Sequence, residues 1–186
     1  MVFVKRAVNG VSLVSLSLLV AAAILVAIAP VCHAVGDVGI VIERAQPGQI
    51  EKCPYCGKFI NVKTIHTDAE KIVKTKLEQA LTRHGVGFKE GKEKQPYINV
   101  LIYRFQERQG GNFSVERPAS IGLHMHLIES NVVKRTFVFD EDQQALTQNI
   151  LNIGKFLKRG ARWITMDELA QEGIDAGTDY LLEILQ

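Results

Sequence analysis

The sequence lacks the short signatures of the common catalytic machineries. It has no GxSxG, no HExxH, no Walker loop and no GxGxxG. A serine-nucleophile elbow, a zincin centre and a nucleotide-phosphate cradle therefore each lose their usual sequence support. Cysteine is scarce, with three in 186 residues, so a stable fold must rest on a buried core, which a chain of this size can supply without disulfides. Charge of one sign is also missing. The chain has 22 Lys+Arg against 20 Asp+Glu, and Lys5 and Arg6 account for the difference. A neutral domain has no electrostatic footprint for nucleic acid, which is excluded as an expected partner. Lys155, Lys158, Arg159 and Arg162 form a local basic spot, of the kind a solvated helix face carries. Repeats and low-complexity tracts are absent.

What is present begins with an export signal. Lys5 and Arg6 precede an apolar run from Val11 to Val31, interrupted only by Ser12, Ser15, Ser17 and Pro30. A basic start, an apolar core and then small residues is the signal-peptide order, with Cys32-His33-Ala34 offering a cut after Ala34. The run is also about as long as the ~20 residues a membrane span needs, so it could stay as an N-terminal anchor. Lipidation of Cys32 is a third outcome. Residues 1–34 are thus read as a signal peptide or anchor, and residues 35–186 as one exported α+β domain, periplasmic or held at the envelope membrane only if the N-terminus is uncleaved or lipidated.

The pattern of that domain predicts strands over 39–43 and 59–65, on either side of a Pro47-Gly48 turn and a Cys53–Cys56 element. Thr67 and Glu70 read as a capping box opening a helix with Ala69, Ile72, Val73, Leu77, Ala80 and Leu81 on one stripe, closed by Gly85. Residues 87–95 read as a polar connection. YINVLIYRF, 97–105, is apolar on both faces and reads as a central strand. A loop with Gly110-Gly111 follows. Ile121, Leu123, Met125 and Leu127 alternate with Gly122, His124 and His126, the pattern of a half-buried strand, and Ser130-Asn131 turns it into a hairpin over 119–139. Leu146, Ile150, Ile153 and Leu157 suggest a helix ending at Gly160, and Trp163 beside Arg162 reads as a helix-end anchor. Thr165 and Glu168 form a second capping box before a C-terminal helix in which Gly173 and Gly177 would allow close approach to a sheet. The expected fold is a single α+β domain, a mostly antiparallel sheet of four to five strands with helices on one face.

Cys53-Pro54-Tyr55-Cys56-Gly57-Lys58 is the one motif that demands chemistry. Two thiolates spaced by two residues reach one tetrahedral zinc, and the following glycine lets main-chain amides turn toward sulfur. The six residues resemble half of a zinc-ribbon or rubredoxin-type knuckle. A second CxxC is absent, so two further ligands are needed. His124 and His126, on one face of a strand and about 7 Å apart by strand rise, are the first candidates, with His66 and His84 behind them. Against this, two histidines in an amphipathic strand are ordinarily its solvent side. The tetrad also resembles a glutaredoxin active site, with Cys53 as nucleophile and Cys56 as resolving thiol, although a turn precedes it and no helical pattern follows. A short-loop disulfide is the plain alternative. Asp140, Glu141 and Asp142 could act on protons or bind a cation, but a charged strand-end turn is the plainer account of them.

The order of export signal, helix 67–84, strand YINVLIYRF, hairpin 119–139 and C-terminal helices is similar to small bacterial envelope lipoproteins with the layout of the TolB amino-terminal domain, CsgG and LpoB. That resemblance implies a non-catalytic accessory protein that docks on other envelope proteins, assembles (as an oligomer or otherwise) or supports transport. An exported thiol oxidoreductase and a zinc-binding protein are the rival expectations.

Overall fold

The strongest strand of the pattern lies at the centre of the sheet. The computed structural model describes residues 36–48, 51–110, 115–142 and 164–185, with positions 154 and 157. The export segment, the helix expected over 146–160 apart from positions 154 and 157, the basic residues Lys155, Lys158, Arg159 and Arg162, and Trp163 lie outside them. The elements are β1 (Val38–Arg44), α1 (Ala69–Arg83), β2 (Phe88–Glu90), β3 (Tyr97–Gln106), β4 (Gln109–Gly110), β5 (Val115–Arg117), β6 (Ser120–Glu129), β7 (Val132–Asp142) and α2 (Met166–Leu182). The main sheet runs β2-β1-β3-β6-β7, and β4 pairs with β5 in a small separate ribbon.

The fold is α+β with a mixed sheet. β1 pairs in parallel with both β2 and β3, while β3–β6 and β6–β7 are antiparallel. β3 and β6 are buried along almost their full length. One sheet face, with Ile40, Ile98, Val100, Ile102, Leu123, Met125 and Leu127, packs against α1 and α2 in the main core. The two helix glycines seat α2 on that face. A Cβ at Gly177 would run into the Met125 sulfur and the Phe137 ring, and one at Gly173 into the Phe139 ring. Lys76 on α1, largely buried, reaches Asp167 of α2 at 2.8 Å and ties the helices together.

Three local expectations change. The Thr67–Glu70 capping box does not form: Asp68 takes the cap position without a side-chain bond, and Glu70 is drawn to the Arg44 guanidinium instead. The α2 box at Thr165 and Glu168 does form in both directions. Residues 59–65 are not a strand. Phe59 and Ile65 make only isolated bridges, to Lys52 and Phe105: Ile60 and Val62 turn into the second core, and only the end of the stretch, residues 63–66, bonds the main chain of β3 at Tyr103 and Phe105. The polar connection holds the short strand β2, recruited by the edge of β1 through Val38 opposite Phe88. Ser130 and Asn131, both at positive φ, make the tight β6–β7 turn, as hairpin geometry requires.

Candidate metal centre

The second face of the sheet is covered by the cysteine element, and this corrects the reading of β6. Its histidines face inward. His124 is 1% exposed and His126 fully buried, while their alternating neighbours Leu123, Met125 and Leu127 are buried toward the helices. A second small core of Ala45, Cys53, Ile60, Leu101 and Tyr103, flanked by Tyr55, Cys56 and Val62, closes over them. Sequence alternation shows which residues share a face. It does not show that a loop more than sixty residues away covers the polar one.

The loop is a tight knuckle. Cys53 N–H donates to the Lys58 carbonyl at 2.8 Å and Gly57 N–H to the Cys53 carbonyl at 2.9 Å. Gly57 turns the chain at φ 70°, a conformation that costs glycine nothing. The N–H groups of Tyr55 and Cys56 point at the Cys53 sulfur. Across the sheet face, Cys53 Sγ lies 3.3 Å from His126 Nε2 and Cys56 Sγ 3.6 Å from His124 Nδ1. The four donor atoms all fall within 4.8 Å of one another. Around a tetrahedral zinc with Zn–S near 2.3 Å and Zn–N near 2.0–2.1 Å, donor atoms stand about 3.3–3.8 Å apart. Both cross-sheet contacts already have that spacing, and the cluster could bind a metal such as zinc with little contraction.

The electrostatics suit neutral imidazole donors. Both histidines are held down at about 4, chiefly by burial: Lys58 adds to this at His124 against Asp140, and His124 and Lys58 add to it at His126 against the Asn99 main chain and Glu43. Both rings are therefore uncharged near neutrality and can ligate without first losing a proton. The Cys53 thiol is pushed up, chiefly by burial and also by Cys56, against the pull of the two knuckle amides. Both cysteines are free thiols in this structure. A glutaredoxin-type nucleophile needs a helix N-terminus or a neighbouring cation to acidify it. Here the pair sits in a turn and no helix starts at it.

Several residues that support the cluster were not singled out by the motif. Tyr55, between the two cysteines, tilts its ring against His126 at a centroid distance of 5.0 Å and donates its hydroxyl to Glu43 at 2.7 Å. Asn99 donates to that hydroxyl at 3.2 Å. Burial alone would raise Glu43, but bonds from Tyr55, Asn99 and Lys92 outweigh it and hold the carboxylate below its ordinary value. Tyr103 meets His124 edge-on at 5.1 Å, and its ring occupies the space left by Gly122. Asn99 carried a visible signal as the one uncharged polar residue inside YINVLIYRF.

The remaining candidates lie elsewhere. His66 is an exposed loop residue near Asp68, and His84 closes α1 against Asp179 at 2.8 Å. Asp140 and Asp142 are paired with the buried Arg104, and Asp140 also accepts from Tyr103, so this acidic strand end is an ion-pair cluster. Gly110 ends β4, and the loop beyond it at 111–114 lies outside the described residues.

No protein-family model and no curated protein sequence matches the chain. Among solved structures it is similar to a PelC dodecamer from Paraburkholderia phytofirmans, at 11% identity over 82% of this chain and 89% of that one, with a TM-score of 0.42. A Xanthomonas campestris protein described under DUF330 is 16% identical over 82% and 85%, with a TM-score of 0.41. A minor lipoprotein of Acinetobacter baumannii is 13% identical over 77% and 92%, with a TM-score of 0.34. These are distant likenesses, and none of them assigns a role to this chain.

Proposed function

We propose that this chain is an exported, non-catalytic accessory protein of the cell envelope whose domain carries a structural zinc ion on Cys53, Cys56, His124 and His126. The observation that supports the metal is the convergence of two thiols and two neutral imidazoles within 4.8 Å, drawn from a loop and a strand far apart in sequence. Four protein donors would fill a tetrahedral shell and leave no position for water or substrate, the mark of a structural site rather than a catalytic one. The ion would bolt the knuckle to the sheet face and fix the surface that the knuckle presents to a partner. Export rests on the basic, apolar and small-residue order of residues 1–34.

Native intact mass of the protein recovered from the envelope tests both parts. One zinc per chain, lost in Cys53→Ser and in His126→Ala, together with a chain starting at Val35 or a lipid on Cys32, is the expected result. A metal-free protein, with the cysteines as a disulfide or an untouched dithiol, would contradict the metal reading. An unprocessed chain recovered from the cytoplasm would contradict export.

A further inference from the structure

Buried polar side-chain atoms without a hydrogen-bond partner among the described residues include Asn99 Oδ1 and His126 Nδ1. These two belong to residues directly opposite one another in the β3–β6 register. Side chains so placed have Cβ atoms about 5 Å apart. Leaving both atoms unpaired in the interior would be costly. They do not bond each other in this structure, and a small turn of either side chain that joins them would satisfy both in only one state. An amide oxygen always accepts, so His126 must carry its proton on Nδ1. That same tautomer leaves the lone pair on Nε2, the atom that faces the Cys53 sulfur.

The orientation of Asn99 follows from its other neighbour. The Tyr55 hydroxyl has one proton, and it goes to Glu43 Oε2, a carboxylate that can only accept. Toward Asn99 the hydroxyl is therefore an acceptor, and it takes the Nδ2 proton. A flipped amide would set two acceptors against each other. With Nδ2 committed, Oδ1 is the end left free for a donor.

We propose that Glu43, Tyr55 and Asn99 form a directional hydrogen-bond relay that holds His126 in its Nδ1–H tautomer, which makes Asn99 a positioning residue for the metal ligand. The purpose of the relay rests on the zinc reading, but the tautomer exists without zinc and is measured without it. Outer-shell partners of ligating histidines fix the ring and its basicity, and their loss costs about 10–100-fold in metal affinity.

The test is a long-range 1H–15N correlation spectrum of the zinc-free full-length chain in mild detergent, paired with zinc affinity from competition with a chromophoric chelator. His126 is expected as the Nδ1–H form in the parent protein. In Asn99→Leu the ring should shift toward Nε2–H and zinc should bind about 10–100-fold more weakly. Tyr55→Phe keeps the acceptor and leaves only the Asn99–Glu43 bond to orient it, so it should move both readouts in the same direction by less. It also serves as the deciding variant if Asn99→Leu fails to fold. An Nε2–H ring in the parent protein would overturn the relay. So would an unchanged tautomer in a folded Asn99→Leu, because the main-chain carbonyl of residue 99 would then be sufficient, and an unchanged tautomer in Tyr55→Phe would do the same. A protein that shows the Asn99-dependent tautomer yet binds no zinc would uphold the relay and sink the metal reading.

Discussion

Stripping zinc from the loaded protein should soften one face of the domain without unfolding it. The main core, from Val38 and Ile40 through Leu77, Val100, Met125 and Leu169, lies on the helix side of the sheet and contains none of the four donors. The second cluster, with Cys53, Ile60 and Tyr103, is much smaller and is the part that the ion would hold. A ligand that binds only the folded state adds about 4 kcal/mol when free zinc is about 1,000 times its dissociation constant. For a domain of roughly 150 residues each kcal/mol moves the midpoint by about 2–4 °C, so chelation should lower Tm by about 8–16 °C. Calorimetry with and without a strong chelator measures the shift. Hydrogen exchange should place the new mobility in residues 51–62 and on β6, with α1 and α2 staying protected. Two results would refute the reasoning. Collapse of the fold on chelation at 25 °C would mean that the helix-side core cannot stand alone. An unmoved Tm after proven zinc removal would mean that the ion holds nothing.

Other expectations follow from single contacts. Gly122→Ala places a Cβ in the Tyr103 ring; overpacking of this kind costs about 1–3 kcal/mol, and because Tyr103 abuts His124 zinc affinity should fall alongside the urea midpoint. Thr165→Ala removes a formed capping box and should cost about 1 kcal/mol by chemical denaturation, whereas Thr67→Ala, at a box that does not form, should change stability by less than about 0.5 kcal/mol. Glu70 is held below its ordinary value, first by its hydrogen bond from Arg44. The pair's contribution is therefore present above the unfolded glutamate value of about 4.3 and is lost as pH falls through the lower folded value. Glu70→Gln should flatten that part of the acid limb in a plot of denaturation midpoint against pH, and an unchanged limb would remove the pair from the account.

Much of the fold was legible because its elements are locally consistent. Apolar residues on both faces of 97–105 mark a central strand, the Ser130-Asn131 turn marks the hairpin, and Thr165 with Glu168 marks the start of the last helix; each is formed as its pattern implies. The failures have a common cause in tertiary competition. Glu70 fits a capping box, but Arg44 from β1 offers it a charged partner and wins. Phe59 to Ile65 alternates like a strand, yet Ile60 and Val62 are spent on covering the sheet. The Lys- and Glu-rich stretch after Gly87 gives no strand signal, and β2 exists only because β1 has an edge to pair. The spacing of the two histidines on one strand face, in a chain with a CxxC element, makes them legible as ligands. Their burial, and the Glu43-Tyr55-Asn99 chain behind them, depend on the knuckle folding back across β3 and β6, which no local pattern encodes.

The central claim is that one zinc joins the knuckle to the sheet through two sulfurs and two ring nitrogens. X-ray absorption at the zinc edge, on protein loaded with one equivalent, tests it most directly. The account predicts a shell of two sulfurs at about 2.3 Å and two imidazole nitrogens at about 2.0–2.1 Å, with the nitrogen signal halved in His124→Ala. A shell of four sulfurs, which would need the knuckles of two chains, would contradict it. So would a shell of oxygen and nitrogen without sulfur.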